Sequence, residues 1–533
     1  MTASFLVIAP FFFLGSPSGH DFEFHVNSWM EVLGQWKQGI VYPRWAALAH
    51  YGYGEARFIF YPPASWMLGA ALGALLPWKA VPGTYVWLAL TLSGCSMFLL
   101  ARRWLDRRDA IFAAAFYAAN PYFIVTVYWR SAFAELLAGA LLPLLLLYVL
   151  RLEDEKTNAV MSLALIVAAA WLTNIPAAVM INYSLALLLV ILAIDRRSPR
   201  VLWRGALAVL IGAALAGFFL LPAVYEQRWV NIAQALSAGV RPQDNFLFVT
   251  THDIDHDRFN LLVSLVASAE IVLLAIAVYL SHTWRSRQPR VWWMLTGWSA
   301  FAVLFSFSFT VWFWEHLPEL RYLQFPWRWL LCLNLALALL VTVAWRRWIM
   351  RLLICVAMLA VLAFAWHHIQ APWWETSGDF NELLDRQQSG AGYEGTDEYV
   401  PIGADPYEIK QDAPSVAVAD SESPNQIEKL EIQRSNAESR AFTVVLAQPG
   451  DLVLRLFNYP AWQVEVNGRA VATSTRDVTG QMLIPVEAGE NRVLIRLSRT
   501  WDRTLGGILS IVTALLVGIL VALRRKRPKA NLA

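Results

Sequence analysis

Long apolar runs recur along almost the whole chain of 533 residues, and they restrict the folds open to it. A helix of about 20 apolar residues crosses a bilayer, where only helices and closed barrels satisfy all their backbone hydrogen bonds. Charged residues make up 16% of the chain, whereas soluble domains contain about 25%. The sequence therefore predicts a polytopic α-helical membrane protein.

Short loops rich in Lys and Arg separate the apolar runs, and such loops favour the cytoplasmic side. Placing them there leaves one path of about twelve spans with both termini cytoplasmic. A further apolar run, 64–78, breaks this alternation if it crosses, so we expect a re-entrant or interfacial helix on the outer face. The predicted spans are 2–15, 82–101, 110–128, 132–150, 158–173, 177–194, 203–221, 260–281, 291–312, 327–345, 351–369 and 504–523.

The composition changes after residue 370, where acidic and strand-like segments replace the apolar runs. Asn467-Gly468 lies between two short alternating segments and favours a two-residue hairpin turn. We expect a small extracytoplasmic β-sandwich hung between the last two spans. The predicted parts are a transmembrane part at 1–370 with its first outer loop at 16–65, a mostly β part at 371–503, and a final span with a basic cytoplasmic tail at 504–533.

The first outer loop is unusually long, polar and aromatic, which indicates a function. Asp21 and Glu23 follow the first apolar run, and such carboxylates can act as a general base, bind a divalent cation such as Mg²⁺ or Mn²⁺, or both. In a helix His25 would share a face with Asp21 and could tune its pKa or bind a metal. The alternative is a solvated helix N-terminus followed by a surface histidine.

Other charged residues are expected near the outer face. Glu55 and Arg57 belong to the same loop and either line its cavity or form an exposed ion pair. Arg328 is expected at the outer end of a span, where its guanidinium suits a lipid phosphate, or extends to lipid headgroups. Arg130 and Glu135 also lie near the outer surface, and a structural ion pair is the favoured interpretation there.

The sequence gives little support to nucleic-acid binding or to a metal site in the run 251–257. The net charge of +3 is small and scattered, which does not indicate nucleic-acid binding. The run 251–257 contains five potential metal ligands, but no single backbone conformation brings all of them together. We therefore favour a solvated acidic loop there over a metal site.

Several short motifs occur in a characteristic order. The first outer loop contains G-x-x-Y-P-R-W at 39–45, G-Y-G at 52–54 and F-Y-P-P at 60–63. Later segments contain R-S-A-x-A-E-L-L at 130–137, Q-F-P-W-R at 324–328, G-Y-E-G-x-x-E-Y-x-P at 392–401 and Y-P-A-W at 459–462. In this order they resemble the bacterial "6-pyruvoyl-tetrahydropterin synthase-related" membrane proteins over nearly the whole chain, and these look like glycosyltransferases of the GT-C type.

This resemblance implies a GT-C-like fold in a bacterial inner membrane, with an active site under the first loop on the periplasmic side. It implies an inverting glycosyltransferase that uses a polyprenyl-phosphate-linked sugar and a glycan or lipid acceptor. By position Asp21 would be the base, Glu23 its partner or a cation ligand, and Arg328 the contact to the donor phosphate. The substrate-binding residues would include His25, Arg44, Glu55, Arg57, Tyr61, Arg130, Glu135 and Tyr393. Pterin chemistry does not follow, because the zinc-ligand histidines and the soluble fold of a true synthase are missing.

Two alternatives come from other classes. A transporter or flippase for lipid-linked glycans needs ionisable groups near the bilayer midplane and paired broken helices, yet most charges lie at span ends. A non-catalytic envelope assembly protein would leave the acidic pair free to vary. Convergence of Asp21, Glu23 and Arg328 on one outward-opening cavity would favour the enzyme.

Overall fold

The computed structural model describes residues 1–152, 157–419 and 427–525. Over these ranges the chain is mostly helical up to residue 389, and short strands then precede a last long helix. The helices are α1 (Thr2–Leu14), α2 (Phe22–Lys37), α3 (Pro63–Leu75), α4 (Trp78–Ala101), α5 (Arg107–Arg130), α6 (Phe133–Arg151), α7 (Thr157–Thr173), α8 (Ile175–Arg196), α9 (Arg200–Leu215), α10 (Gly217–Trp229), α11 (Ile254–Leu280), α12 (Pro289–Phe305), α13 (Ser308–His316), α14 (Pro326–Ala344), α15 (Trp348–His368), α16 (Ser377–Ser389) and α17 (Trp501–Arg525).

Within these described ranges, eight helices are long and apolar enough to span a membrane: α4, α5, α6, α8, α11, α14, α15 and α17. Two bent pairs, α9–α10 at 78° and α12–α13 at 93°, raise the number to ten. The shorter apolar helices α1 and α7 coincide with the other two predicted spans. The prediction of a polytopic helical membrane protein is therefore confirmed.

The ranges 203–221 and 291–312, each predicted as a single span, are both broken by a sharp bend. Near the first bend, the backbone N–H of Phe218 donates to Ser510 Oγ of α17 at 2.9 Å. Pro222 inside α10 has no N–H to continue the helical ladder. Contacts with a distant helix thus replace hydrogen bonds that a straight helix would make.

The first outer loop contains regular structure. Its apolar residues Phe22, Val26, Trp29 and Met30 recur at helical spacing and are buried on one side of α2. The apolar run predicted not to cross forms α3, whose 13 residues extend only about 20 Å, less than the roughly 30 Å core of a bilayer. This loop is therefore a folded layer at one end of the spans.

The strands before α17 form two antiparallel sheets that share an apolar core. One sheet has the order β3-β6-β10-β9 and the other β4-β5-β11-β7-β8, and a separate pair, β1-β2, joins the start of the first loop to the segment after α15. Asn467 and Gly468 both have positive φ, as the predicted hairpin requires. The strands are β1 (Ser16–Pro17), β2 (Trp374–Glu375), β3 (Val416–Val418), β4 (Ile427–Asn436), β5 (Ser439–Leu446), β6 (Gly450–Phe457), β7 (Trp462–Val466), β8 (Arg469–Val471), β9 (Ser474–Thr475), β10 (Gln481–Val486) and β11 (Gly489–Leu497).

The first loop lies between the helices and the strands. Trp45, Tyr53 and Phe60 from this loop belong to the same apolar core as the strand residues Phe457 and Met482. The other face of the loop, along α2, packs into the core of the helical part. The loop is therefore packed between the helical part and the strand-rich part.

Candidate active site

A cavity of about 700 Å³ lies between the first loop, the ends of several long helices and the segment after α16. A volume in this range suits a small-molecule ligand. Five residues singled out in the sequence line it: Asp21, His25, Tyr61, Glu135 and Arg328. His20, Thr396 and Glu398 add further polar groups to its wall.

Asp21 is held at the start of α2 by the turn that follows α5. The N–H of Gly19 donates to Ser131 Oγ at 2.9 Å, and the N–H of Asp21 donates to the Arg130 carbonyl at 2.8 Å. A Cβ on Gly19 would lie 2.5 Å from the Arg130 carbonyl carbon, so only glycine allows this approach. The carboxylate of Asp21 then accepts from Arg130 Nη2 at 3.3 Å, and its side chain is 38% exposed.

Glu23 does not share this site. It is exposed and is not part of the cavity wall, because residues two apart on a helix lie on different faces. Within the described ranges, no group of three or more His, Cys, Asp or Glu side chains could hold a metal ion. The donor set thus gives no support to the predicted divalent cation at Asp21 and Glu23.

Glu135 joins two arginines in the floor of the cavity. Its Oε2 accepts from Arg130 Nη1 at 2.6 Å and from Arg328 Nε at 3.1 Å, and its Oε1 accepts from the Tyr122 hydroxyl. All four side chains are buried. The favoured interpretation of Arg130 and Glu135 as an ion pair therefore matches the geometry, and the pair also orients Asp21 and Arg328.

Arg328 reaches the cavity with part of its hydrogen-bonding capacity unused. Its Nη1 donates to the Leu323 carbonyl at 2.5 Å and to Gln324 Oε1 at 3.4 Å. Its Nη2 makes no hydrogen bond within the described ranges of the chain. A guanidinium has five N–H donors, so the Nη2 group is placed to meet an anionic ligand.

His25 is an uncharged member of the site. Its ring lies 5.8 Å from that of Tyr61 and 5.3 Å from that of Phe133, centroid to centroid. Burial lowers the pKa of His25 to about 4, against the opposing charge of Asp21. At neutral pH the imidazole is therefore neutral and available as a hydrogen-bonding group.

Both interpretations of Glu55 and Arg57 are wrong. The two residues do not line the cavity, and the ion pair that they form is buried. Arg57 Nε donates to Glu55 Oε1 at 2.5 Å, and both side chains are at most 1% exposed. Glu55 Oε2 lies 3.0 Å from His50 Nε2 and accepts from the Thr396 N–H at 2.7 Å. The pair is buried because the segment after α16 covers this part of the loop, and no signal in the sequence shows that contact.

Arg44 and Tyr393 also lie outside the cavity wall. Arg44 is half-buried, with its guanidinium carbon 5.4 Å from the centre of the Tyr42 ring. The Tyr393 hydroxyl donates to Glu31 Oε2 at 2.5 Å and so fastens the segment after α16 to α2. The geometry gives these two residues contacts within the fold and none with the cavity.

Sequence reasoning missed Tyr122 and Glu398. Glu398 lines the cavity, and Tyr122 lies beneath its wall, where its hydroxyl donates to Glu135. Glu398 falls within the motif at 392–401, so a signal for it was present.

The run 251–257 is a capped helix start, in which Asp253 accepts from the N–H groups of Asp255 and His256. Residues 254–257 are thus the first turn of α11, so the prediction of a loop is wrong for them; the reason is that Asp253 caps the helix there.

The architecture of many long apolar helices, with a cavity at the ends of several of them, defines a polytopic membrane protein. The model of the 6-pyruvoyl-tetrahydropterin synthase-related domain, described as a membrane protein, matches residues 58–371. That range is more than half of the chain, and the chain belongs to this family. The family resemblance drawn from the motifs is thereby confirmed.

A similar solved structure is the crystal structure of ArnT from Cupriavidus metallidurans bound to undecaprenyl phosphate. The two chains share 16% identity with a TM-score of 0.44, and the match covers 68% of this chain and 62% of that one. The chain thus spans less than two thirds of the length of the structure it matches. No match was found among curated proteins.

Proposed function

We propose that this protein is an inverting glycosyltransferase that moves a sugar from a polyprenyl-phosphate-linked donor to a glycan or lipid acceptor outside the cytoplasm. The observation that carries this proposal is the convergence of Asp21 and Arg328 on one cavity. A carboxylate and a guanidinium are the two groups that such a transfer needs, one as a base and one for the phosphate.

The remaining wall of the cavity fits an isoprenoid chain. Trp171, Val179, Phe219 and Leu220 line it from α7, α8 and α10. Val224 on α10 also lines the cavity, and it is 62% exposed, so the apolar wall continues to the outside of the helices. A lipid tail can therefore lie along α10 while its phosphate meets Arg328 Nη2.

The proposed reaction uses residues already in place. Asp21 Oδ2 is held by Arg130, while Oδ1 has no hydrogen bond within the described ranges and can accept the proton of an acceptor hydroxyl. The acceptor oxygen attacks the anomeric carbon as the bond from that carbon to the donor phosphate oxygen breaks. Arg328 stabilises the charge that develops on the departing prenyl phosphate. One displacement at the anomeric carbon inverts its configuration.

The test is a set of isosteric variants in a deletion strain of the source bacterium, read out by lipid and glycan profiling. Asp21→Asn is expected to abolish the product that the wild-type gene restores, with unchanged expression and melting temperature, because the amide cannot accept the proton. Glu23→Gln is the matched control, since Glu23 is exposed outside the cavity, and it is expected to restore the product. Full restoration by Asp21→Asn would remove Asp21 from the mechanism.

One observation favours a transporter of lipid-linked glycans as the second candidate. Glu270 is fully buried near the middle of α11, where it accepts from Asn334 Nδ2 at 2.9 Å and from the Tyr122 N–H at 3.1 Å. Buried ionisable groups in membrane spans often serve transport. This candidate predicts that the protein reconstituted in vesicles moves a lipid-linked glycan across the bilayer without forming a new glycosidic bond.

A further inference from the structure

Glu398 projects into the cavity from a segment that is held firmly on both sides. It lies in a single helical turn, Asp397–Tyr399. The ring of Tyr399 stacks on Phe60 with centroids 5.9 Å apart and an angle of 5°. On the other side, the N–H of Asn231 donates to the Val400 carbonyl at 2.9 Å. The position of the Glu398 backbone is thus set by the first loop and by the segment after α10.

The carboxyl group of Glu398 has no fixed partner. Within the described ranges it makes no salt bridge, and no hydrogen bond joins it to another side chain. The nearby charged groups on its own and the adjacent segments are Asp397, Glu55 and Arg57. Burial, reinforced by Glu55 and Asp397 and opposed by Arg57, raises the pKa of Glu398 to about 7.

The charge of the cavity wall makes this carboxyl important for an anionic ligand. The wall contains the carboxylates of Asp21, Glu135 and Glu319, and Arg328 is its only arginine or lysine among the described residues. Arg130 lies behind the wall and contacts Asp21 and Glu135. An ionised Glu398 adds one more negative charge to the wall of the cavity.

The histidines and the arginine of the cavity wall do not change their charge near neutral pH. Burial lowers the pKa of both His20 and His25 below the ordinary value of 6.5, so both rings are neutral above that pH. Arg328 keeps its charge throughout, since guanidinium groups stay protonated in proteins. Glu398 is thus the wall carboxyl whose burial and neighbours place its titration near neutral pH.

We propose, on the basis of the proposed function, that Glu398 is a proton-binding residue of the donor site, and that a phosphate-bearing lipid enters the cavity together with one proton. The proton comes from water and neutralises the Glu398 carboxylate; no covalent bond between heavy atoms changes. Two charges roughly 10 Å apart at an effective dielectric constant of about 20 interact strongly enough to change a binding constant about tenfold.

The direction of the pH effect follows from this coupling. Below pH 7 the carboxyl is already protonated and the lipid phosphate binds without added repulsion. Above pH 7 the free protein carries the charge, and binding requires uptake of a proton. Affinity for an anionic lipid is therefore expected to fall roughly five- to tenfold between pH 6.5 and pH 8.5.

The experiment uses the full chain in lipid nanodiscs and undecaprenyl methyl phosphate as the probe. This phosphodiester carries one negative charge over the whole range, so the probe itself does not titrate. Binding is followed by tryptophan fluorescence from pH 6.5 to 8.5, and proton uptake is measured with an indicator dye in weak buffer. Glu398→Gln, which resembles the protonated acid, is expected to bind with an affinity that is independent of pH and to take up no proton.

Two further variants separate this effect from other groups. Glu394→Gln changes an exposed carboxylate of the same segment and is expected to keep the wild-type pH dependence. Asp21→Asn is expected to keep it too, since Asp21 is not the group that takes up the proton. Wild-type binding that is independent of pH, or a pH dependence that persists in Glu398→Gln, would overturn the proposal and leave the proposed function standing. Absence of probe binding by the wild type at every pH would overturn both.

Discussion

The carboxylate of Glu135 forms ion pairs with two buried arginines beneath the cavity. In Glu135→Gln the charges of Arg130 and Arg328 would lose their shared carboxylate. An uncompensated buried charge costs about 3–5 kcal/mol, so the melting temperature in detergent is expected to fall by many degrees. Glu23→Gln, an exposed change on α2, is the control and is expected to melt like the wild type. Equal melting of the two variants would show that Glu135 does not stabilise the floor of the cavity.

His25 is expected to make the folded protein less stable as the pH is lowered. Its pKa of about 4 in the folded protein lies below the value of about 6.5 in an unfolded chain. Between these values the unfolded chain binds more protons, so the free energy of unfolding falls by about 1.4 kcal/mol for each unit that the pH is lowered. The stabilisation is complete above pH 6.5 and is lost as the pH approaches 4.

His25→Gln tests this interpretation, because glutamine keeps a polar group and cannot titrate. We expect its melting temperature to change less than that of the wild type between pH 6.5 and pH 4.5. The exposed residue His367 provides the control, and His367→Gln is expected to follow the wild-type profile. A wild-type slope retained in His25→Gln would assign the acid sensitivity to other groups.

The segment between α16 and β3 holds the first loop in place through a close backbone contact. The N–H of Tyr393 donates to the Leu48 carbonyl at 3.1 Å. Gly392 precedes it with φ +78°, and a Cβ there would lie 2.4 Å from the same carbonyl oxygen. A side chain at this position would therefore separate the two segments that enclose Glu55 and Arg57.

Gly392→Ala is expected to lower the melting temperature and to make the first loop more sensitive to limited proteolysis. Gly403→Ala is the matched control, since Gly403 has φ +85° but no atom within 4 Å of the added Cβ. The control is expected to lose only the roughly 1 kcal/mol that a positive φ costs an alanine. Similar losses in both variants would mean that the contact with Leu48 contributes nothing beyond backbone strain.

A buried cluster around the ion pair of Arg503 and Glu226 connects the strand-rich part to the helices. Arg503 in the first turn of α17 donates from Nε and Nη2 to the two oxygens of Glu226, both at 2.7 Å. The hydroxyl of Tyr459, from the strand-rich part, donates to Glu226 Oε2 at 2.5 Å. This cluster lies where α10, α17 and the two sheets meet, so it sets how the sheets rest on the membrane part.

Breaking this cluster from either side is expected to destabilise the whole chain. Tyr459→Phe removes one hydrogen bond to a charged group and should cost about 1.5–3 kcal/mol. Arg503→Met leaves the buried Glu226 carboxylate without its cationic partner and should cost about 3–5 kcal/mol. The double variant Arg503→Met with Glu226→Gln is expected to recover part of that loss in melting temperature. A double variant less stable than Arg503→Met would contradict the charge argument.

The orientation of the chain in the membrane is open to a direct test. We expect a cysteine at Asn467, in the exposed hairpin between β7 and β8, to react with an impermeant maleimide on spheroplasts. A cysteine at Ser286, in the basic helical connection between α11 and α12 that is expected to be cytoplasmic, should react only after permeabilisation. The wild type, with its three native cysteines, measures the background. Labelling of Ser286→Cys from outside would reverse the predicted orientation.

The sequence alone determined those features that depend only on residues close together in the chain. Apolar runs of sufficient length fold as helices in a membrane whatever surrounds them, since each helix satisfies its own backbone. The turn at Asn467-Gly468 was predictable for the same local reason. The face shared by Asp21 and His25 also follows from helical spacing, and both residues line the cavity.

Only the tertiary structure decided which distant side chains meet. Arg130 contacts Asp21 across 109 positions of the chain, and Glu398 lines the same cavity from beyond the last but one predicted span. The sequence could not show that Glu55 and Arg57 are covered or that Glu23 turns away from Asp21. Such contacts depend on how the helices bend and how the strand-rich part rests on them, and these are set by packing over the whole chain rather than by local pattern.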